Sequence, residues 1–297
     1  MRSPSSAYLL VSHGSRDPRP QLAAKQLAAL VAEQIQELAP VEPIVRVAEP
    51  REALALAHSG LNRAATSGSG VGAAILASPP SVVPAPVLVG TAVLDCSPLP
   101  LHQQIQDFAQ VAIAHHYSQI QLVPLFLLPG VHVMEDIPLE VAIAQQQIGN
   151  ALQIQLQPHL GSDPTLIDLF RLNLLHPNSS KAQEAGRILM SHGSRRAGAN
   201  QPVEEAAIAL NAIPAYWSVE PGLETQMQRL MEQGCREIEI VPYFLFEGGI
   251  TDAIAQCVSC LNARWPQIHC RLAQPLGATP DLSKHIVSRI TVDLRMS

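Results

Sequence analysis

The sequence has little charge of either sign. Lys, Arg, Asp and Glu together make up 15% of its 297 residues, and the formal net charge is −6. A chain without an excess of positive charge has no basic field to hold nucleic acid or an anionic membrane surface. We therefore expect neither nucleic acid nor a membrane among its partners. Any anionic ligand must be held by a local cluster of cations.

Cysteine is scarce as well, with five residues, an odd number. Since 47% of the residues are apolar, two domains of ordinary size can fill their cores without cross-links. This pattern excludes a disulfide framework and is typical of reduced thiols in the cytoplasm. The first residues predict no export signal.

Long apolar helices are missing too. The longest uncharged stretch, 64–94, is interrupted throughout by glycine and proline. No spanning helix of about 20 residues can form there. We therefore interpret the region of about 40–86 as a Pro- and Gly-rich insertion.

What the sequence does contain is an internal repeat. The segment Leu10–Arg16 recurs 179 residues later as Leu189–Arg195, with Ser-His-Gly-Ser-Arg identical in both. Residues 120–127 match 238–245, and 160–164 match 276–280. Because the offset falls from 179 to 118 and then 116, the first half carries roughly 60 additional residues, which the insertion accounts for. We predict two domains, 1–178 and 180–297.

Within each half, short apolar runs alternate with segments of helical periodicity. The predicted strands are 8–11, 87–94, 120–128 and 152–156 in the first half, and 187–190, 238–246 and 268–272 in the second. The nearly continuous apolar run 120–128 is typical of a strand buried on both faces of a parallel sheet. Strict alternation predicts two tandem doubly wound α/β domains, whose ligands bind beyond the carboxyl ends of the strands.

Two histidines fall at such strand ends. His13 directly follows the first predicted strand, and His132 lies in the loop after the third. Neutral imidazole is a favoured ligand for iron, cobalt, nickel and zinc, and near pH 7 it also accepts protons. A single histidine at a strand end is more often structural than a ligand, but the repeated Ser-His-Gly-Ser-Arg block favours a functional role.

The residues around His13 suit ligand binding. Gly14 permits a tight turn and a close approach of a ligand to the backbone, while Ser12 and Ser15 can cap the following helix. Arg16 offers a planar fork for a carboxylate. Further positive charge at the same edge is expected from Arg19, Arg195 and Arg196, which are otherwise solvated surface residues.

Together these blocks resemble the sirohydrochlorin chelatase family in its long form, which has two tandem copies of the chelatase unit. The resemblance rests on Ser12–Arg16, on residues 124–132 and on Glu135-Asp136-Ile137-Pro138, and it covers nearly the whole chain. It implies insertion of Co²⁺ or Fe²⁺ into sirohydrochlorin, an octacarboxylate tetrapyrrole, on the route to cobalamin or sirohaem. It implies no cofactor beyond the substrate metal ion. A monomer and a homodimer both remain possible.

The resemblance also implies roles for particular residues. His13 is a metal ligand and proton acceptor, and His132 is the second metal ligand. The family places an acidic residue before the second helix, for which Asp95 is the candidate and Glu49 a weaker alternative. The residues expected to bind substrate are Ser12, Gly14, Ser15, Arg16, Asp95, Leu127, Leu128, Pro129, Gly130 and Val131.

The second half departs from the family pattern, because the residue matching His132 is Ile250. We therefore predict that this half keeps the fold without a metal site of its own. His192, Arg195 and Glu220, the acidic residue of this half, either face the substrate from the opposite wall of a cleft or remain from the duplication.

Two other functions stay open on the sequence alone. A carrier that holds a tetrapyrrole or a metal without catalysis needs the same residues. A phosphatase with His13 as nucleophile is a weaker alternative, because histidine phosphatases resemble an Arg-His-Gly pattern and Ser12 stands in the place of that arginine.

Overall fold

Two parallel β-sheets form, one in each half of the chain, in a computed structural model that describes residues 5–38, 87–174 and 186–296. Side chains are described up to residue 290. The predicted insertion and Glu49 lie outside the described residues, and the boundary between domains at 178–180 does too.

The first sheet has the strand order β2-β1-β3-β4, with all neighbours parallel. Its strands are β1 (Ser6–Ser12), β2 (Val89–Val93), β3 (Gln119–Pro124) and β4 (Gln153–Leu156). The helices of this half are α1 (Pro18–Leu38), α2 (Leu101–Ala114), α3 (Ile137–Ile148) and α4 (Leu166–Leu172). A π-helical turn, His132–Asp136, precedes α3, and short 3-10 turns lie at Gly149–Ala151 and Leu160–Ser162.

The second sheet repeats this order as β6-β5-β7-β8. Its strands are β5 (Gly186–Ser191), β6 (Ile213–Tyr216), β7 (Glu237–Pro242) and β8 (His269–Leu272). Its helices are α5 (Gln201–Ala209), α6 (Leu223–Glu232), α7 (Gly249–Arg264) and α8 (Pro280–Met296). The predicted fold class, two tandem doubly wound α/β units, is confirmed.

The predicted third strand is too long. β3 ends at Pro124, whereas the apolar run continues to Leu128. The backbone oxygen of Phe126 accepts a hydrogen bond from Gly161 N at 2.8 Å, outside the sheet ladder. Leu127 and Leu128 pack against a core that both halves share. The apolar run therefore predicted burial correctly, but the prediction that all of it forms a strand was wrong.

That shared core joins the two halves. Helix α1 buries a stripe spaced at i, i+3, i+4 and i+7, and Leu27 of this stripe belongs to the same apolar cluster as Leu282 of α8. Phe170 of α4 stacks on Tyr243, which follows β7, with ring centroids 4.9 Å apart. Two further clusters each belong to one half. The chain therefore has three apolar clusters in its described part: one within each half and one to which both halves contribute.

The sequence predicted that the chain has no membrane-spanning helix and that its cysteines are reduced. Among the described residues, no helix is both long and apolar enough to cross a membrane. All five cysteines are free thiols, and burial raises the pKa of Cys270 to about 11.

A second link between the halves is polar. Arg289 of α8 donates hydrogen bonds to the backbone oxygens of His159 and Leu160 at 3.3 and 3.1 Å, and its Nε lies 3.7 Å from Asp163 Oδ2. His285 Nε2 lies 3.4 Å from the same carboxylate oxygen. These groups are largely removed from solvent, so their protonation is coupled to folding.

We expect this link to lose stability as the pH falls below about 6.5. Burial lowers the pKa of His285, with Asp163 opposing that shift in part, and burial together with Arg289 lowers the pKa of His159. The pKa values of His159 and His285 are lower in the folded state than in the unfolded state. As the pH falls, the unfolded chain therefore binds protons at these histidines before the folded chain does. The contribution of the neutral histidines to stability is therefore complete above about pH 6.5. It is lost as the pH falls from there towards the pKa values of the folded state.

Denaturation midpoints at pH 7.5 and 5 test this expectation. The double variant His159→Gln/His285→Gln should lose less stability between these two pH values than the wild type. Asp163, whose pKa is lowered on balance by the hydrogen bonds from Thr165 despite its burial, titrates below this window. Equal losses in both proteins would contradict the assignment.

Candidate metal centre

The carboxyl edge of the first sheet brings three potential metal ligands together. His13 follows β1, Asp95 follows β2, and His132 begins the π-helical turn. One ligand atom from each side chain lies within 4.8 Å of the others. His13 Nδ1 is 3.8 Å from Asp95 Oδ2, and the two imidazole rings meet edge to face with centroids 4.7 Å apart. The predicted meeting of the two histidines is what the strand order produces.

Gly14 allows Asp95 to approach His13. The backbone N–H of Asp95 donates to the oxygen of His13 at 2.8 Å, which continues the β1–β2 pairing beyond the strands. Gly14 has a φ of +93°, and a Cβ at this position would lie 1.9 Å from the backbone oxygen of Asp95. The sequence predicted that a ligand approaches the backbone at Gly14, but in the structure the backbone of Asp95 makes this close approach.

Hydrogen bonds at Nδ1 orient both imidazoles. His13 Nδ1 lies 3.3 Å from the backbone oxygen of Gly14, and His132 Nδ1 lies 2.7 Å from Asp136 Oδ2. Both partners are acceptors, so these contacts favour the tautomer with the proton on Nδ1. The lone pair on each Nε2 is then free to bind a cation or a proton.

Two imidazoles and one carboxylate form a ligand set suited to divalent iron, cobalt or zinc. The side chains of His13, Asp95 and His132 are 56%, 50% and 39% exposed. The site is therefore open on the solvent side, and a bulky ligand can reach a cation held there. Asp95, predicted as a substrate-binding residue, belongs with the histidines as a third potential ligand.

The loop after β3 places apolar groups beside His132. Pro129, Gly130 and Val131 are exposed, as is Met134. The loop is fixed from behind by Gly161, where a Cβ would lie 1.9 Å from the backbone oxygen of Leu127. An exposed apolar surface beside a metal site suits the face of a large conjugated ring. Roles of Leu127 to Val131 in substrate binding stay predictions.

The serines of the first motif have structural positions. Ser12 is buried at the end of β1, and Ser15 Oγ accepts a hydrogen bond from the backbone N–H of Asp17 at 3.0 Å, just before α1. This hydrogen bond of Ser15 is of the capping kind that the sequence predicted. Their contribution to substrate binding remains a prediction.

Four arginines were expected near this edge, and they divide into two groups. Arg16, Arg195 and Arg196 are exposed, and no side-chain partner of theirs is present in the described part of the chain. Arg19 differs, because it donates hydrogen bonds to Asp17 at 3.1 Å and to Asp252 of the second half at 3.0 Å. The positive charge expected of Arg19 is therefore paired with carboxylates of the chain itself, and a contact of Arg19 with a substrate carboxylate stays a prediction.

The second half has a similar backbone hydrogen bond at this edge, but of the three potential ligands it keeps only a counterpart of His13, which is His192. Ser218 N donates to the oxygen of His192 at 2.9 Å, as Asp95 N does to His13. Ser218 is therefore the counterpart of Asp95, and the sequence-based pairing of Asp95 with Glu220 is wrong. Glu220 Oε2 instead accepts hydrogen bonds from Gly222 N at 2.7 Å and Thr225 Oγ1 at 3.1 Å, at the start of α6.

His192 keeps the orientation of His13 but not its neighbours. Its Nδ1 lies 3.0 Å from the backbone oxygen of Gly193, and the aligned positions around it hold Ser218 and Ile250. Within the described ranges, His13, Asp95 and His132 form the one group of three or more His, Cys, Asp or Glu side chains close enough to share a metal ion. Whether His192 and Arg195 contact a substrate stays a prediction.

Comparison with protein-family models identifies CbiX in both halves of the chain, over residues 81–175 and 186–292. The first range includes Asp95 and His132, and the second includes His192; His13 precedes both. The matched ranges together cover more than half of the chain.

Curated relatives and solved structures agree with this match. The chain is 23% identical over 192 residues to a sirohydrochlorin ferrochelatase of Priestia megaterium, covering 62% of this chain and 71% of that protein. It is 21% identical over 188 residues to a sirohydrochlorin cobaltochelatase of the same organism, covering 60% of this chain and 61% of that protein. Its fold is similar to that of SirB from Bacillus subtilis with Fe³⁺, with a TM-score of 0.64, 19% identity and coverage of 96% and 94% of the two chains.

Proposed function

Because this chain belongs to the CbiX family, we propose that it is a chelatase that inserts Co²⁺ or Fe²⁺ into sirohydrochlorin. The observation that carries the proposal is the group of His13, Asp95 and His132 at the open edge of the first sheet. The names of the two Priestia megaterium relatives support this substrate and both metals. The ligand set suits either ion, since selectivity between such metals is set by geometry and supply.

The chemistry requires a held cation and acceptors for two protons. Insertion of a divalent ion replaces two pyrrole N–H bonds by N–metal bonds, and both protons must leave. In this proposal His13 and His132 hold the ion through ring nitrogens, and Asp95 adds a negative charge that favours the cation. As the ring nitrogens take over the ion, His13 and Asp95 become free to accept the protons. Holding the ion against one face of the ring makes the reaction effectively unimolecular.

Recognition of the substrate follows from charge and shape. The exposed loop beside His132 offers an apolar surface for the face of the macrocycle. Arg16, with Arg195 and Arg196 of the second half, offers guanidinium groups for its carboxylates. Because the chain has no overall positive field, the position of an anionic ligand depends on local cations such as these arginines.

The other functions fit the site less well. Asp95 places a carboxylate 3.8 Å from His13 Nδ1, and a negative charge there disfavours the phosphate group of a phosphatase substrate. A carrier remains an outcome of the test below. Reduced cysteines agree with a cytoplasmic protein.

The test is an anaerobic metallation assay with purified protein, sirohydrochlorin and either Co²⁺ or Fe²⁺, followed by the absorption change of the ring. We expect protein-dependent acceleration over the uncatalysed reaction with at least one of the two metals. Tight tetrapyrrole binding without acceleration by either metal would contradict the chelatase and identify the protein as a carrier. Phosphate release from a generic phosphomonoester would revive the phosphatase.

A further inference from the structure

The π-helical turn that begins with His132 contains one residue more than its counterpart in the second half. Gly248 follows Gly130 by 118 residues, but Ile254 follows Ile137 by 117. The two isoleucines are equivalent, because each is fully buried at the start of the helix that packs on its sheet. A single-residue insertion into an α-helix produces a π turn, often at a functional site.

The hydrogen bonds locate the extra residue. Ile137 N donates to the oxygen of His132, five residues back, which is the π pattern. Met134 N donates to Gly130 O, and the equivalent bond in the second half, Asp252 N to Gly248 O, is intact. The inserted residue therefore lies between Met134 and Ile137.

The insertion changes which side chains the first turn presents. Each residue of an α-helix advances by about 100° around the axis. With the extra residue, α3 keeps Ile137 buried while the turn before it presents His132 and Asp136 together. Their side chains meet with Nδ1 to Oδ2 at 2.7 Å. Without it, His132 would be rotated relative to the buried face of α3.

The second half lacks the insertion, the histidine and the carboxylate together. Ile250 stands in the place of His132, and a single residue, Ala253, stands where the first half has Glu135 and Asp136. Its helix α7 begins as a regular α-helix at Gly249. Comparison of the two halves of one chain thus ties the extra residue and the carboxylate to the presence of the histidine.

We propose that Asp136 is a positioning residue of the metal centre, and that the π turn sets the orientation of the His132–Asp136 pair relative to the buried face of α3. The carboxylate holds the proton on Nδ1, turns the ring so that Nε2 faces His13 and Asp95, and strengthens Nε2 as a ligand. This inference rests on the proposed function, in which His132 binds the metal. It adds a residue that the sequence indicated only by its spacing of four from His132.

The first test titrates Co²⁺ into the protein without tetrapyrrole and follows the visible absorption of the bound ion. Asp136→Ala should weaken binding about 10- to 100-fold, the usual cost of losing such a partner. Asp136→Asn should lose less, because its amide oxygen still accepts a hydrogen bond. The matched control is Glu135→Gln, which removes the neighbouring exposed charge and should leave the affinity within about twofold.

The outcomes separate this inference from the proposed function. If His132→Ala weakens Co²⁺ binding but Asp136→Ala does not, the positioning role is overturned and the metal site stands. If Glu135→Gln weakens binding as much as Asp136→Asn, the effect is one of general charge, and the positioning role is again overturned. If His132→Ala itself leaves the affinity unchanged, the proposed metal site fails.

A second measurement reads the position of the proton directly. In protein labelled with ¹⁵N-histidine, the His132 signals, assigned by their loss in His132→Ala, should report the Nδ1–H tautomer. Asp136→Ala should shift the proton to Nε2, which a role confined to folding would not do. An unchanged tautomer in Asp136→Ala would overturn the proposal.

Discussion

Replacing His13 by alanine is expected to weaken Co²⁺ binding by more than about a hundredfold and to abolish metal insertion. The side chain is one of the three potential ligands that the described part of the chain brings together, and the proposed site would keep only Asp95 and His132. His13 is 56% exposed, so its loss should leave the fold intact. The measurements are the Co²⁺ titration and the metallation assay, with a thermal melt to verify folding.

The internal repeat supplies the matched control, His192→Ala. His192 has the same sequence neighbours as His13 and the same contact of Nδ1 with the oxygen of the following glycine. The positions that match Asp95 and His132 hold Ser218 and Ile250 in this half, so His192→Ala should bind Co²⁺ as the wild type does. Equal loss in both variants would contradict a single metal site. The tetrapyrrole affinity of His192→Ala decides whether the second half lines the cleft or only retains the motif.

Most of the fold could be predicted from the sequence because burial and duplication leave strong patterns. The repeated blocks predicted two related units, and alternation of apolar runs with helical periodicity predicted parallel sheets. Parallel strands end at a common edge, so the meeting of His13 and His132 followed without knowledge of the strand order. The error at 125–128 arose because an apolar run reports burial and does not distinguish a sheet from a core between halves.

The parts of the site that could not be predicted depend on contacts between distant segments. Asp95 and Glu220 were each taken as the acidic residue of their half, whereas the backbone hydrogen bonds pair Asp95 with Ser218. The ion pair of Arg19 with Asp252 could not be predicted, because nothing near Arg19 in the sequence reveals a residue of the other half. Asp136 had a local signal, its spacing of four from His132, but that spacing alone does not show a π turn.

The repeated Ser-His-Gly-Ser-Arg block is explained better by backbone geometry than by chemistry. Gly14 and Gly193 both have positive φ, +93° and +79°, and both pack closely against the segment that follows the neighbouring strand. Both halves need this turn, whereas only the first has Asp95 and His132 beside it. The shared turn therefore supports the fold of each half, whereas the proposed metal site of the first half needs His13 of the motif together with Asp95 and His132, which lie outside it.

Gly14→Ala is accordingly expected to lose both stability and metal binding, whereas Gly193→Ala should lose stability alone. A positive φ at a non-glycine residue costs about 1–3 kcal/mol in either half. In Gly14→Ala the new Cβ would also lie 1.9 Å from the backbone oxygen of Asp95, so the carboxylate must move away from His13. We expect Co²⁺ affinity to fall on the order of a hundredfold.

In Gly193→Ala the new Cβ meets Tyr216 Cβ at 2.7 Å, at a distance from any metal ligand set among the described residues. Chemical denaturation of both variants should therefore show similar losses, while Co²⁺ titration separates them. Wild-type Co²⁺ affinity in folded Gly14→Ala would mean that Asp95 does not bind the ion, and the site would reduce to the two histidines. Loss of affinity in Gly193→Ala would instead mean that the second half shapes the metal site through the core it shares with the first.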